Sequence, residues 1–367
     1  MKYLYLHFPF CRHLCNYCDF YKKIPKSAAE LDSFHDYLTK SWSKLSEIAE
    51  INHEPISKLE SLYIGGGTPS LWGETGAHFL QKFMMERGIE REANCEWTLE
   101  VNPGSWTRPG LEAWRSVGVN RFSLGIQALD ERFLKILDRV HSLDEVYETL
   151  TYFGEENLNF SVDFMLGLPN SKLWERSIEK ELNEILKFKP KHISLYILTV
   201  PSHYRHYDEL PDEEWIEKEY LLVAKLLRQH GFQHYEVSNF AKPGFESRHN
   251  LAYWRNETVG ALGPSATGYF ANSGFRYKWM TSQPDYVPEQ LSASERELEK
   301  IYMRLRTSLG LNLRESYPAL AEVKLRQLVD QWISKDLATE GQPLVVRPTS
   351  KGFLLLDSLM NDLFLLE

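Results

Sequence analysis

The sequence predicts an α/β protein: an incomplete, TIM-like (β/α)6 barrel followed by a smaller α+β domain with a winged-helix look. Three observations predict it. Short apolar or β-branched runs alternate with longer segments of helical spacing, which implies βαβ units and a parallel sheet. Six such units fill roughly the first 200 residues, too few for a closed eight-fold barrel. After Phe240 the texture changes. A doubly wound sheet is the competing fold.

Taken in order, the expected strands are Tyr3–His7, Ser61–Ile64, Trp97–Val101, Arg121–Ile126, Phe160–Met165 and His192–Leu198. Helical spacing marks Ala29–Glu50, Leu71–Arg87, Glu131–Leu137 and Leu173–Lys187 between them. Residues 241–290 are rich in Gly, Pro, Tyr and Trp without clear periodicity, and read as an irregular connecting segment. From Ser292 helical patterns return through Leu309 and over Tyr317–Lys335. A short strand and turn follow at Leu344–Val346 and Pro348–Gly352, then a last helix, Phe353–Phe364. The expected domains are therefore 1–240, the connector 241–290, and 291–367.

Composition excludes several classes. The chain has 367 residues, 43% of them hydrophobic and 25% charged, which suits a folded soluble protein. No apolar run reaches the roughly 20 residues that span a bilayer. No signal-peptide pattern precedes the first Cys motif, so a cytoplasmic location is the default. A net charge of −9 argues against nucleic-acid partners.

Three of the four Cys fall within eight residues, in Cys11-Arg12-His13-Leu14-Cys15-Asn16-Tyr17-Cys18 directly after the first strand. This C-x3-C-x2-C spacing is unlike a disulfide framework. Thiolates suit iron–sulfur clusters or zinc. Zinc normally closes its tetrahedron with a further Cys or His, and no second CxxC or HxxxH occurs. Three thiolates on a [4Fe–4S] cubane leave one iron open, and the amine and carboxylate of S-adenosylmethionine can chelate it. Structural zinc and plain buried thiols are the alternatives. His13 reads as a solvent-facing loop residue and Cys95 as a partly buried thiol.

Gly65-Gly66-Gly67-Thr68-Pro69 follows the second strand, where glycines let backbone approach a ligand closely. Glu100 ends the third strand, Gln127 the fourth, Arg139 falls in the next helical segment, and Asp163 lies in the fifth strand. Each alone reads as a surface or salt-bridge residue. Together, near one end of successive barrel strands, they suggest a common polar site. There a carboxylate suits an ammonium or ribose hydroxyls, and Arg139 suits a carboxylate.

These residues resemble radical S-adenosylmethionine proteins of the coproporphyrinogen dehydrogenase group. The likeness rests on Tyr5–Cys11, Cys15–Phe20, Gly65–Ser70, Glu100–Gly104, Ser123–Gln127 and Asp163–Pro169. Two branches are relevant. One is the oxygen-independent coproporphyrinogen III oxidase. The other is the HemW-type haem chaperone, which binds haem and passes it to acceptor proteins. The oxidase carries a further Cys where this chain has Phe20, and a segment before its cluster motif that is almost absent here. His249-Asn250-Leu251-Ala252-Tyr253-Trp254 matches the HNxxYW motif of the chaperone branch.

The resemblance implies that Cys11, Cys15 and Cys18 hold the cluster. Tyr5, Gly66, Gly67, Thr68, Glu100, Gln127, Arg139 and Asp163 are then the S-adenosylmethionine contacts, with Tyr17 near the adenine. His249 is the haem candidate, with a hydrogen bond within its own domain as the equal alternative. It implies haem as cargo, an acceptor protein as partner, and membrane contact only peripherally through that acceptor. A glycine-rich stretch, Gly260–Tyr269, carries Thr267 where the family often has His, which counts against a haem contact there. Oligomeric state is open.

Overall fold

A computed structural model describes residues 1–27 and 29–366. The first half runs β1 (Tyr3–Phe8), α1 (Ala29–Ile51), β2 (Leu59–Gly66), α2 (Gly73–Glu86), β3 (Arg91–Val101), α3 (Arg108–Val117), β4 (Arg121–Gln127), α4 (Glu131–Ile136), α5 (Leu143–Glu155), β5 (Phe160–Leu166), α6 (Ile178–Lys187) and β6 (His192–Ile197). Strands β1 to β6 pair in chain order, each parallel to the next. A doubly wound sheet would reverse its order at a switch point; this one does not.

Side-chain alternation decides what the barrel encloses. On β1, Leu4, Leu6 and Phe8 turn outward into the helix-facing core, while Tyr3, Tyr5 and His7 take the other face. The helices bury their apolar stripes against that core through residues such as Leu38, Leu80, Trp114 and Phe153. Two of their starts are capped by side chains. Thr107 accepts from the Gly110 amide, and Ser142 and Glu145 form a reciprocal box on α5. The helical pattern from Leu173 becomes helix only at Ile178. Arg176 instead turns inward and pairs with Glu181 at 2.7 Å.

The second half runs α7 (Glu213–Gln229), β7 (Gln233–Glu236), β8 (Asn239–Ala241), α8 (Arg248–Trp254), β9 (Val259–Leu262), β10 (Thr267–Phe270), β11 (Phe275–Trp279) and β12 (Tyr286–Gln290). This corrects the reading of 241–290 as irregular. Strand β9 adds parallel to β1, and β10, β11 and β12 extend the sheet antiparallel. The strands are short, and Val-Gly-Ala-Leu in β9 and Thr-Gly-Tyr-Phe in β10 carry no two-residue period, although Phe275, Tyr277 and Trp279 alternate in β11. At the far edge β8 and β7 continue antiparallel from β6, making twelve strands.

The remainder is α9 (Ala293–Leu305), β13 (Leu311–Asn312), α10 (Leu313–Ser316), α11 (Glu322–Ser334), β14 (Ala338–Gln342), β15 (Val345–Pro348), α12 (Ser350–Leu354) and α13 (Leu356–Phe364). Three antiparallel strands and their helices enclose a separate core around Leu325, Val329, Trp332 and Leu359. This winged-helix-like unit meets the barrel where Glu236 bridges Thr307 and Ser350 accepts a bond from Arg228. Among the described residues no helix is long and apolar enough to cross a membrane.

Candidate functional site

The loop after β1 carries the three thiols. Backbone bonds from Cys11 to Lys23 (3.0 Å) and from Lys23 to Pro9 (2.8 Å) close it into a compact turn. His7 anchors its return. The Nε2–H donates to the Tyr21 carbonyl at 2.7 Å, so Nδ1 accepts from the Tyr5 hydroxyl at 3.0 Å. Lys22 donates to the Cys18 carbonyl and Arg12 to the Gly104 carbonyl, tying the loop to itself and to the end of β3.

Cys11, Cys15 and Cys18 are all free and line one cavity of ≈ 90 Å³. Burial pushes the Cys11 and Cys15 thiols up; Thr68 and Arg139 respectively pull them back toward the thiolate. Among the described residues no three His, Cys, Asp or Glu groups could share one metal ion. The thiols instead ring a common space, as ligands to separate irons of a cluster do. The glycine run lets the end of β2 pack directly against the thiol loop and His7. At Gly67 a Cβ would come 2.6 Å from the Phe10 carbonyl oxygen, and at Gly66 (φ 109°) 2.5 Å from the His7 ring. The three free thiols around one cavity fit a three-thiolate cluster.

Beside the cluster cavity opens a chamber of ≈ 700 Å³ at the C-terminal ends of the parallel strands. Tyr17, Gly66, Gly67, Thr68, Glu100, Gln127, Arg139 and Asp163 all line it. They are linked. Thr68 Oγ1 donates to Cys11 Sγ at 3.5 Å and accepts from Asn102 Nδ2 at 3.1 Å. Arg139 Nη2 donates to Asn102 Oδ1 and to the Gly125 carbonyl, each at 2.8 Å, and Nη1 reaches the Tyr17 hydroxyl at 3.4 Å. Glu100 accepts from the Tyr63 hydroxyl at 2.9 Å and the Gly66 amide at 3.0 Å. Burial, then the neighbouring Asp163, pushes its pKa up to about 7. Asp163 is also raised by burial, and the Ser123 hydroxyl bonds both its oxygens, at 3.0 and 3.1 Å. Gln127 holds a left-handed backbone (φ 71°) at a bulge between β4 and β5, a local cost that turns its side chain into the chamber.

Tyr5 is the exception. It lies one layer below the chamber, its hydroxyl taken by His7 and its ring between Tyr63 and His249. His249 sits deeper still. Its Nδ1 is 2.7 Å from Ser61 Oγ, its ring stacks on Tyr63 at 5.2 Å, and it is 2% exposed. Ser61 precedes the chamber-lining Gly66 by five residues, about 16 Å along a strand. In this conformation no haem plane reaches the ring. Thr267 is exposed on β10. His13, half-buried, pairs with Asp138 at 2.8 Å, and Cys95 is buried in β3 rather than partly so.

Sequence reasoning missed Asn102, which joins the thiol loop to Arg139, and His141, which lines the cluster cavity with Nδ1 3.4 Å from Arg139. Asn102 stood inside a motif already singled out, two residues after Glu100 on the same strand end. Tyr196 and Met165 supply the chamber's less polar side with Phe20 and Leu198. Phe20, 67% exposed, was visible as an apolar residue beside the cluster motif.

A thiol loop after the first barrel strand, a glycine cradle after the second and a polar chamber at the strand ends define a protein of the radical S-adenosylmethionine class. The Radical SAM superfamily model matches residues 5–182. The heme chaperone HemW of Lactococcus lactis is 30% identical, covering 99% of this chain and 97% of its own. The heme chaperone HemW of a Synechocystis species is 33% identical, covering 84% of this chain and 78% of its own. The solved coproporphyrinogen III oxidase (HemN) of Escherichia coli shares the fold, with a TM-score of 0.78 over 98% of this chain and 89% of that one, at 18% identity. The chain belongs to the HemW family of heme chaperones.

Proposed function

We propose that this protein binds a [4Fe–4S] cluster with S-adenosylmethionine, takes up haem, and hands haem to an acceptor protein. One observation carries the reading: three free thiols share a wall with a chamber polar on one side and apolar on the other. Cys11, Cys15 and Cys18 hold the cluster. Glu100 meets the ammonium of S-adenosylmethionine, Arg139 its carboxylate, and Asp163 its ribose hydroxyls. Tyr17 lies against the adenine. When bound, the pair supplies one-electron chemistry at the sulfonium. The relatives named heme chaperones support haem as cargo. Phe20, Met165, Tyr196 and Leu198 offer a macrocycle its apolar face at the chamber mouth. His249 takes part only if α8 lifts from the barrel floor. A cytoplasmic setting and a peripheral encounter with the acceptor complete the reading.

The test is one anaerobic preparation. Reconstitution should give four irons and four sulfides per chain and a spectrum that responds to S-adenosylmethionine. Haem should bind near one equivalent with a Soret shift, and should pass to an apo-haemoprotein trap. An oxygen-independent coproporphyrinogen III oxidase, or another porphyrin-modifying radical enzyme, would draw on the same chamber. Conversion of coproporphyrinogen III by that preparation, without haem binding, would overturn the chaperone reading.

A further inference from the structure

The wall of the thiol cavity carries an imidazole that none of the chemistry above uses. His141 stands in the connection between α4 and α5, two residues after Arg139. Val140 between them is 63% exposed and His141 only 7%, so Arg139 and His141 turn the same way, inward. Both line the cavity that Cys11, Cys15 and Cys18 share.

Arg139 decides which ring nitrogen carries the hydrogen. Burial, then the Arg139 charge, lowers the His141 pKa to about 3, so the ring is neutral and holds one hydrogen. Arg139 Nη2 lies 3.4 Å from Nδ1, and a guanidinium can only donate. Nδ1 therefore accepts, and the hydrogen sits on Nε2. Among the described residues the enclosed Nε2 has no partner. The oxygens around it are committed elsewhere: the Gly104 carbonyl to Arg12, Asn102 Oδ1 to Arg139, Glu145 to Ser142, and the Ile126 carbonyl to the Ala128 amide at 3.0 Å. A buried N–H without an acceptor is costly, and folded interiors rarely leave one. The acceptors still missing from this cavity are the sulfurs of a cluster. Hydrogen bonds to those sulfurs help to set the potential of an iron–sulfur centre.

We propose that His141 donates its Nε2–H to a sulfur of the cluster and raises the cluster's reduction potential. This rests on the three-thiolate cluster proposed above. A neutral N–H dipole favours the more negative, reduced cluster without adding a charge of its own. Arg139 then serves twice, meeting the carboxylate of S-adenosylmethionine and fixing the tautomer of the ring beside it.

The test uses the full chain, reconstituted anaerobically and kept free of S-adenosylmethionine. Iron and sulfide analysis comes first. A wild-type chain that assembles no cluster overturns the cluster reading and this proposal with it. With clusters in place, a redox titration followed by electron paramagnetic resonance should give His141→Phe a lower potential than wild type. His141→Gln, which keeps an N–H near the Nε2 position, should stay close to wild type. Pulsed resonance on reduced protein carrying isotopically labelled histidine should show a weak nitrogen coupling that both variants remove. Should His141→Phe not fold, loss of that coupling in His141→Gln still decides. Equal potentials in wild type and His141→Phe overturn the proposal, as does the absence of a histidine coupling. A coupling that persists in His141→Gln belongs to another histidine, such as His13 in the thiol loop, and overturns it too. So does a coupling as strong as direct iron ligation gives, which would make His141 a fourth ligand instead of a donor.

Discussion

Glu100 is where the chemistry and the stability of the chamber pull in opposite directions. Its pKa is raised from 4.5 to about 7, chiefly by burial. The sign follows: the protonated form suits the folded, ligand-free protein. The contribution is present below pH 4.5 and is lost as pH rises through about 7, where the carboxylate must ionise in place. Glu100→Gln should therefore raise the thermal midpoint at pH 8, by the equivalent of about 1–3 kcal/mol, and change it little at pH 4.5. The same substitution should abolish tight S-adenosylmethionine binding, because the ammonium loses its counter-charge. Wild-type affinity should in turn climb as pH rises from 6 to 8. Calorimetric titration alongside thermal melts checks both halves; a Gln variant that is less stable at pH 8 would contradict the burial argument. Asn102 makes a second residue-scale case. It binds Thr68 and Arg139 at once, so Asn102→Ala leaves Arg139 with one fewer buried acceptor. Affinity for S-adenosylmethionine should fall about tenfold, a cost within the usual 1–3 kcal/mol for an orphaned buried donor. Iron content should stay at the wild-type level.

At the scale of elements, the glycine turn after β2 separates two reasons for keeping glycine. Gly67 has ordinary backbone angles, but its amide donates to the Phe8 carbonyl at 2.7 Å and its Cα faces the thiol loop. Gly67→Ala pushes a methyl onto the Phe10 carbonyl, which is backbone and cannot turn aside. It should cost about 1–3 kcal/mol and lower cluster occupancy after reconstitution. Gly73, at the end of the same connection, has φ 57° and open space around it. Gly73→Ala should cost about 1–3 kcal/mol from conformation alone and leave the cluster intact. Iron and sulfide analysis of the pair distinguishes close approach from backbone strain. The six parallel strands and the thiol loop were legible in the sequence because each is a local pattern. The chamber residues were legible where they end a strand. Asn102 was not, because its partners lie 34 and 37 residues away in the chain. The strands β9 to β12 were lost because each is only four or five residues long, and β9 and β10 show no polar–apolar alternation.

For the whole molecule the question is how far the two cores depend on each other. Every residue lining the chamber falls between Tyr17 and Thr199, while the second core begins at Ile301. Their contact runs through backbone bonds from Val237 to Arg306 and from Ser308 to Tyr235, each at 2.9 Å, and through His234, which accepts or donates at 3.0 Å to Ser350 and packs on Phe353. These contacts fall beside β7, away from the chamber-lining strand ends. Leu325 is fully enclosed in the second core. Leu325→Ala should destabilise that unit by about 2–5 kcal/mol through lost burial and the cavity left behind. Hydrogen exchange should then accelerate over α11, β14 and β15, with the amides of β2 to β5 unchanged, and S-adenosylmethionine should bind with wild-type affinity. Equal acceleration through the barrel strands would mean that the two cores open as one cooperative unit and that cofactor retention depends on the winged-helix-like end.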